Sequence, residues 1–149
     1  MVRHIWTVIC SRAVIDRESN NISLFDVLEE AKLMIAESDI EKPVIPFPVA
    51  IAWVTTWQRE PIENPTHSRG KDTILSPSGK VVVEHEYHID LSKYRRLRAK
   101  RNMQNFPVSE SGMYRFRTQI WNEEKNVWEA VSDIPLDISV EMGKRNRKT

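Results

Sequence analysis

The 149 residues carry 22 Lys and Arg against 21 Asp and Glu, with 40% hydrophobic and 29% charged residues, which describes one globular domain large enough to bury a core without staples. The single cysteine, Cys10, excludes an internal disulfide, and no window nears the roughly 18 to 20 apolar residues that a helical membrane span needs. Arg12, Asp16, Arg17 and Glu18 interrupt any candidate secretory signal, so a cytoplasmic location without membrane contact is expected.

Val2 to Ile15 reads as a first strand with apolar residues on both parities: His4, Trp6, Val8 and Cys10 on one, and Ile5, Ile9, Ala13 and Ile15 on the other. It is therefore expected to be covered on both faces. The cluster from Asp16 to Asn21 is a turn, because Asp and Asn accept tight or left-handed backbone, and Ile22 to Leu28 resumes as a strand. Residues 29 to 37 admit two readings. Their Glu, Ala, Lys, Leu and Met content favours helix, while continued alternation through Ile35 favours strand.

Pro43, Pro46 and Pro48 enforce an extended lead-in. In the strand that follows, Phe47, Val49, Ile51, Trp53, Thr55 and Trp57 form the bulkier face, opposite Ala50, Ala52 and Val54. Residues 58 to 70, with Pro61 and Pro65, read as a long loop. Thr73 to Leu75, the turn Ser76-Pro77-Ser78-Gly79 and Lys80 to Leu91 make a hairpin. Residues 92 to 110 read as a basic connection. Gly112 to Met142 is a long hairpin around Asn122 to Asn126, with Tyr114, Phe116, Thr118 and Ile120 on the core side of the first strand. On its second strand Trp128, Ala130, Ile134, Leu136, Ile138 and Val140 are placed on the core side. These elements predict an all-β, antiparallel β-sandwich of about six to eight strands with at most one short helix, as a single domain over residues 1–142. Residues 143–149 are expected to be a disordered basic tail.

Several segments together resemble a family of small uncharacterised bacterial single-domain proteins. They are Ala13 to Glu30, the turn Ser76-Pro77-Ser78-Gly79-Lys80, Gly112-Met113-Tyr114-Arg115-Phe116 and Ile134-Pro135-Leu136. The resemblance implies a β-sandwich and favours strand over helix for residues 22 to 35. It implies no activity, cofactor or catalytic residue.

Charge is segregated along the chain. Lys93, Arg95, Arg96, Arg98, Lys100 and Arg101 follow one another with no acid between them, and the tail adds four cations. Without those ten, 12 basic and 21 acidic residues remain, a net charge of −9. With Tyr94 among the cations, residues 93–101 have the composition of a phosphate-tracking patch with a stacking side chain; the alternatives are a solvated loop or a segment docked on the acidic body.

Other constellations have ordinary readings. His85 and His88 are three apart, so on a strand they cannot share a metal, and Glu84, Glu86, His88 and Asp90 read as a solvent face. Cys10 reads as a buried thiol. No Gly-x-Ser-x-Gly elbow is present, and Pro65 stands where a phosphate loop ending at Gly70-Lys71 needs glycine. Trp6, Trp53 and Trp128 are assigned to the core; Trp57 and Trp121 are the candidate surface aromatics.

No catalytic residue, cofactor or metal is therefore expected. The leading reading is a non-catalytic protein-interaction module that binds a protein partner, or itself, through strand edges. The second is nucleic-acid or polyanion binding through Lys93, Tyr94, Arg95, Arg96, Arg98, Lys100 and Arg101. The third is carbohydrate binding through Trp57 or Trp121.

Overall fold

A computed structural model describes residues 1–36 and 42–142; the expected basic tail lies outside the described residues. The described chain is all strand and turn, with no helix. In order it forms β1 (Val2–Ile15), β2 (Ile22–Val27), β3 (Glu30–Ile35), β4 (Ile45–Pro46), β5 (Ile51–Arg59), β6 (Thr66–Leu75), β7 (Val81–Leu91), β8 (Arg96–Met103), β9 (Pro107–Val108), β10 (Gly112–Asn122) and β11 (Val127–Met142). Eleven strands in three sheets replace the expected simple sandwich of six to eight.

One sheet has the order β2-β1-β5-β8 and is antiparallel throughout. The second, β3-β11-β10-β6-β7, is curled into a half-barrel and mixed, because β3 runs parallel to β11. A two-residue pairing of β4 with β9 makes the third. Residues 30 to 35 are strand despite their helix-forming composition. The edge of β11 offers them a full set of backbone partners, and packing outweighs propensity in such places.

Two segments read as loops are strands. β6 begins at Thr66, inside the expected loop 58–70, and is a central strand, paired on one side to β7 and on the other to β10. β8 runs through the expected basic connection and pairs with β5 from Arg96–Gln58 to Met103–Ile51. In both, charged side chains on the outer face hide a short inner alternation: Gly70, Asp72 and Ile74 on β6, and Leu97, Ala99, Arg101 and Met103 on β8.

The main core lies between the two large sheets. Ile9, Ile51 and Trp53 of one meet Ile74, Tyr114, Phe116, Leu136 and Ile138 of the other. Trp53 packs edge-on against Phe116 at 5.1 Å, and Phe47 stacks on Phe106 at 4.7 Å. A second inner cluster gathers Trp57, Ile89 and Leu91 with Leu97, Ile120 and Val131. Polar residues lie between these two clusters. The Trp53 indole N–H donates to Thr118 Oγ1 at 3.3 Å, and the Thr118 hydroxyl donates to Asp72 Oδ1 at 3.3 Å. The Thr7 hydroxyl donates to that of Thr55 at 3.2 Å.

The first strand is buried on both faces only at its middle, Ile9 and Cys10, while Ile5, Val14 and Ile15 are exposed. β1 leaves β5 after Cys10 and continues paired only to β2, so this hairpin curls over the outer face of β5 and β8. Cys10, Ala13, Ala52 and Val54 are buried there, with the partly buried Ile22 and Leu24 packed against them. The Cys10 thiol is wholly buried, and desolvation raises its pKa, the setting of an inert rather than a reactive thiol.

Candidate functional site

Strand geometry divides the basic segment. Successive side chains of β8 point to opposite faces, so Arg96, Arg98 and Lys100 lie outside while Arg101 points between the sheets. Lys93, Tyr94 and Arg95 precede the strand, where Tyr94 is 68% exposed. The seven candidates thus form no single patch.

The outer cations reach across to the curled β1–β2 hairpin. Lys100 Nζ donates to the Ala13 carbonyl at 2.9 Å, an Arg98 guanidinium N–H donates to the Asn20 carbonyl, and Arg96 donates to Gln58 Oε1 at 3.0 Å. Asn20 takes a left-handed conformation, φ 58°, within the turn that Asp16 organises by accepting the Glu18 and Ser19 amides. Those amide bonds hold the exposed Asp16 carboxyl below its usual pKa.

Between this turn and β8 lies a groove of about 580 Å³, lined by Ser19, Asn20, Asn21, Gln58, Arg95, Arg96 and Arg98 with Ile15, Ile62 and Leu97. Arg96, Arg98 and Lys100 of β8 are held by neutral oxygens. Among the described residues none of Arg95, Arg96, Arg98, Lys100 and Arg101 forms an ion pair with a carboxylate, and Arg98 Nη1 is buried without a partner.

The aromatic candidates separate. Trp57 is not at the surface but fully buried in the second inner cluster. Trp121 lies on the outer face of the half-barrel, and Trp128, assigned to the core from its parity, lies beside it in edge contact at 5.3 Å. A bulge between Thr118 and Gln119 causes this: Thr118 pairs with Ser132 but Gln119 with Ala130, so Val131 is extra and the parity of β11 flips. The Arg69 guanidinium covers the Trp121 ring at 4.7 Å, and the Lys71 ammonium lies over Trp128 at 4.4 Å. These cations occupy the π-faces a sugar would need.

Charge on that face is also compensated locally. Arg69 pairs with Glu86 at 3.8 Å, and Asp133 takes both Arg115 and Arg117, at 3.4 and 3.1 Å. His88, Glu84 and Glu86 are exposed, and no group of described His, Cys, Asp or Glu residues could hold a metal ion.

Sequence reasoning missed Ser19, Asn20, Asn21 and Gln58 as groove residues, because they lie far from β8 along the chain. It also missed Asp72 and Tyr87. The available signal was Asp72 at period 2 from Gly70 and Ile74, a lone acid on an inward parity. No family model matches this chain, and no curated protein matches it.

Proposed function

We propose that this chain is a non-catalytic binding domain whose groove beside β8 holds a phosphate-bearing polyanion, with single-stranded nucleic acid as the ligand. One observation carries the reading: three guanidinium groups line the groove beside β8, and among the described residues none of them pairs with a carboxylate. A cation bonded to neutral carbonyl and amide oxygens keeps its charge, and arginine forks match phosphate oxygens. The groove's volume is that of small-molecule sites. Asn20, Asn21 and Gln58 offer amides to base edges, Ile15 and Ile62 an apolar wall, and Tyr94 an exposed ring beside Arg95 for stacking. The cation–aromatic stripe over Trp121 and Trp128 is a weaker candidate, since its acids already balance its arginines.

Fluorescence anisotropy with a short labelled single-stranded DNA tests the proposal. With three phosphates neutralised, affinity should fall about 20-fold between about 50 and 200 mM salt. The double variant Arg95→Glu, Arg96→Glu should abolish binding. Arg98 is left intact because its bond to Asn20 ties β8 to the hairpin turn. Binding that survives the charge reversal, or polyglutamate binding as tightly as DNA, would sink the idea.

A second reading, self-association as a protein-interaction module, is favoured by a different surface. Edge strands β2 and β3 expose Phe25, Val27 and Met34, and Val27 borders an apolar groove of about 520 Å³ with Val8, Leu28, Met113 and Pro135. Unpaired edges with apolar side chains are templates for a second copy of the chain.

A further inference from the structure

Of the inner polar residues, Asp72 lines a cavity at the seam where β7 and β8 approach. Each is the last strand of its sheet, and they face one another without pairing. A cavity of about 130 Å³ opens there, lined by Asp72, His85, Tyr87, Ala99, Lys100 and Arg101. Lys100 turns its ammonium away to Ala13, so Arg101 supplies the positive head on this side.

Three features of the cavity are costly unless something fills it. Arg101 Nη1 and the Tyr87 hydroxyl are buried with no hydrogen-bond partner. The hydroxyl lies near the Trp57 indole and the Thr55 side chain but makes no well-formed bond to either. Asp72 is buried and accepts from Thr118 through Oδ1 alone, among the described residues. Asp72 and Arg101 line the same small space yet form no ion pair with each other. Opposite charges placed only for stability would close together, because a buried unpaired charge is strongly unfavourable.

The arrangement is also held in place. Tyr87 sits opposite Gly70 in the β6–β7 pairing, and a Cβ at Gly70 would lie 2.5 Å from the Tyr87 ring. Only glycine lets the phenol lie across the strand and aim its hydroxyl into the seam. Asp72 is fixed by the Trp53–Thr118 chain of hydrogen bonds.

We propose that this seam binds a small zwitterion of the α-amino-acid type, its ammonium on Asp72 and its carboxylate on Arg101 and the Tyr87 hydroxyl. The cavity is close to the roughly 150 Å³ that accommodates benzene, so the ligand has about six non-hydrogen atoms. The site is separate from the groove beside β8, because Arg101 lies on the opposite face of the strand from Arg96 and Arg98.

Titration of the intact protein with glycine, L-alanine, acetate or methylammonium, followed by tryptophan fluorescence, tests this. Trp57 lies near the Tyr87 hydroxyl and Trp53 is linked to Asp72 through Thr118, so both report on the site. Glycine or alanine should give a saturable change, with acetate and methylammonium at least about tenfold weaker because each satisfies one charge only. Arg101→Gln should abolish the response. Tyr87→Phe removes only an unpartnered hydroxyl, so it keeps the fold and should weaken binding by about tenfold; the Arg95→Glu, Arg96→Glu variant should respond as the wild type. No saturable change with either zwitterion would overturn the proposal and leave the cavity to water. Acetate binding as tightly as glycine would overturn it in favour of a simple anion site.

Discussion

At Asp72 burial pushes the carboxyl pKa up to about 7, although the Thr118 hydroxyl and the nearby Arg101 charge both pull it down. An acid whose folded pKa is raised binds its proton more tightly in the native state than in the unfolded one. It therefore contributes stability fully below pH 4, and that contribution is lost as pH rises through about 7. Asp72→Asn keeps the shape without the charge, so the two proteins should be similar in stability near pH 4. At pH 8 the variant should be the more stable in urea unfolding, by up to about 4 kcal/mol. A variant less stable than wild type at pH 8 would show that the anion is well solvated or paired. Gly70 is the other residue on which the inner layer depends. Gly70→Ala forces a Cβ onto the Tyr87 ring and should cost about 1 to 3 kcal/mol, a fall of about 3 to 10 °C in Tm.

Among the elements, β10 and β11 show how one residue redirects a strand. The inward residues Phe116, Leu136 and Ile138 are fully buried, as simple alternation requires. Beyond the bulge the same parity of β11 carries Trp128 outward. Deleting Val131 makes Ser132 and Ala130 consecutive, so Trp128 stays opposite Trp121 on the outer face, and the inner cluster loses the Val131 side chain that packs against Trp57, Ile89 and Leu91. The deletion should lower Tm by at least about 5 °C through the lost packing and leave the environment of Trp128 unchanged. A shortened strand with wild-type Tm would mean that the bulge is not needed to match β10 with β11. β6 and β8 carry a related lesson. Both are strands whose outer faces carry charges and whose inner faces also hold a charged residue, Asp72 on β6 and Arg101 on β8, so a polar run is no guide to a loop. Their neighbours β5, β7 and β10 supplied the backbone partners that decided the matter.

For the whole molecule, the arginine-lined groove beside β8 and the apolar groove bordered by Val27 share no lining residue, which allows the two functional readings to be separated. Self-association through β2 and β3 should appear in light scattering as a mass that rises with concentration, and Val27→Lys with Met34→Lys should return it to the monomer. A monomer at all concentrations would remove that reading while leaving the groove beside β8 untouched.

The sequence by itself determined the class of the fold. Period-2 patterning in β1, β5, β7 and β10, together with turn residues at Asp16 to Asn21 and Ser76 to Gly79, is local chemistry that reads directly as strands and hairpins. It also placed a run of positive charge with no acid in it at residues 93–101. The tertiary structure decided how β1 curls over β8, where a bulge flips Trp128, and that Trp57 is buried. It brought Asn20 to Arg98 and Asp72 to Tyr87 and Arg101. The reason is physical: alternation fixes which side of a strand a residue takes, but only the pairing of distant strands fixes what stands opposite it.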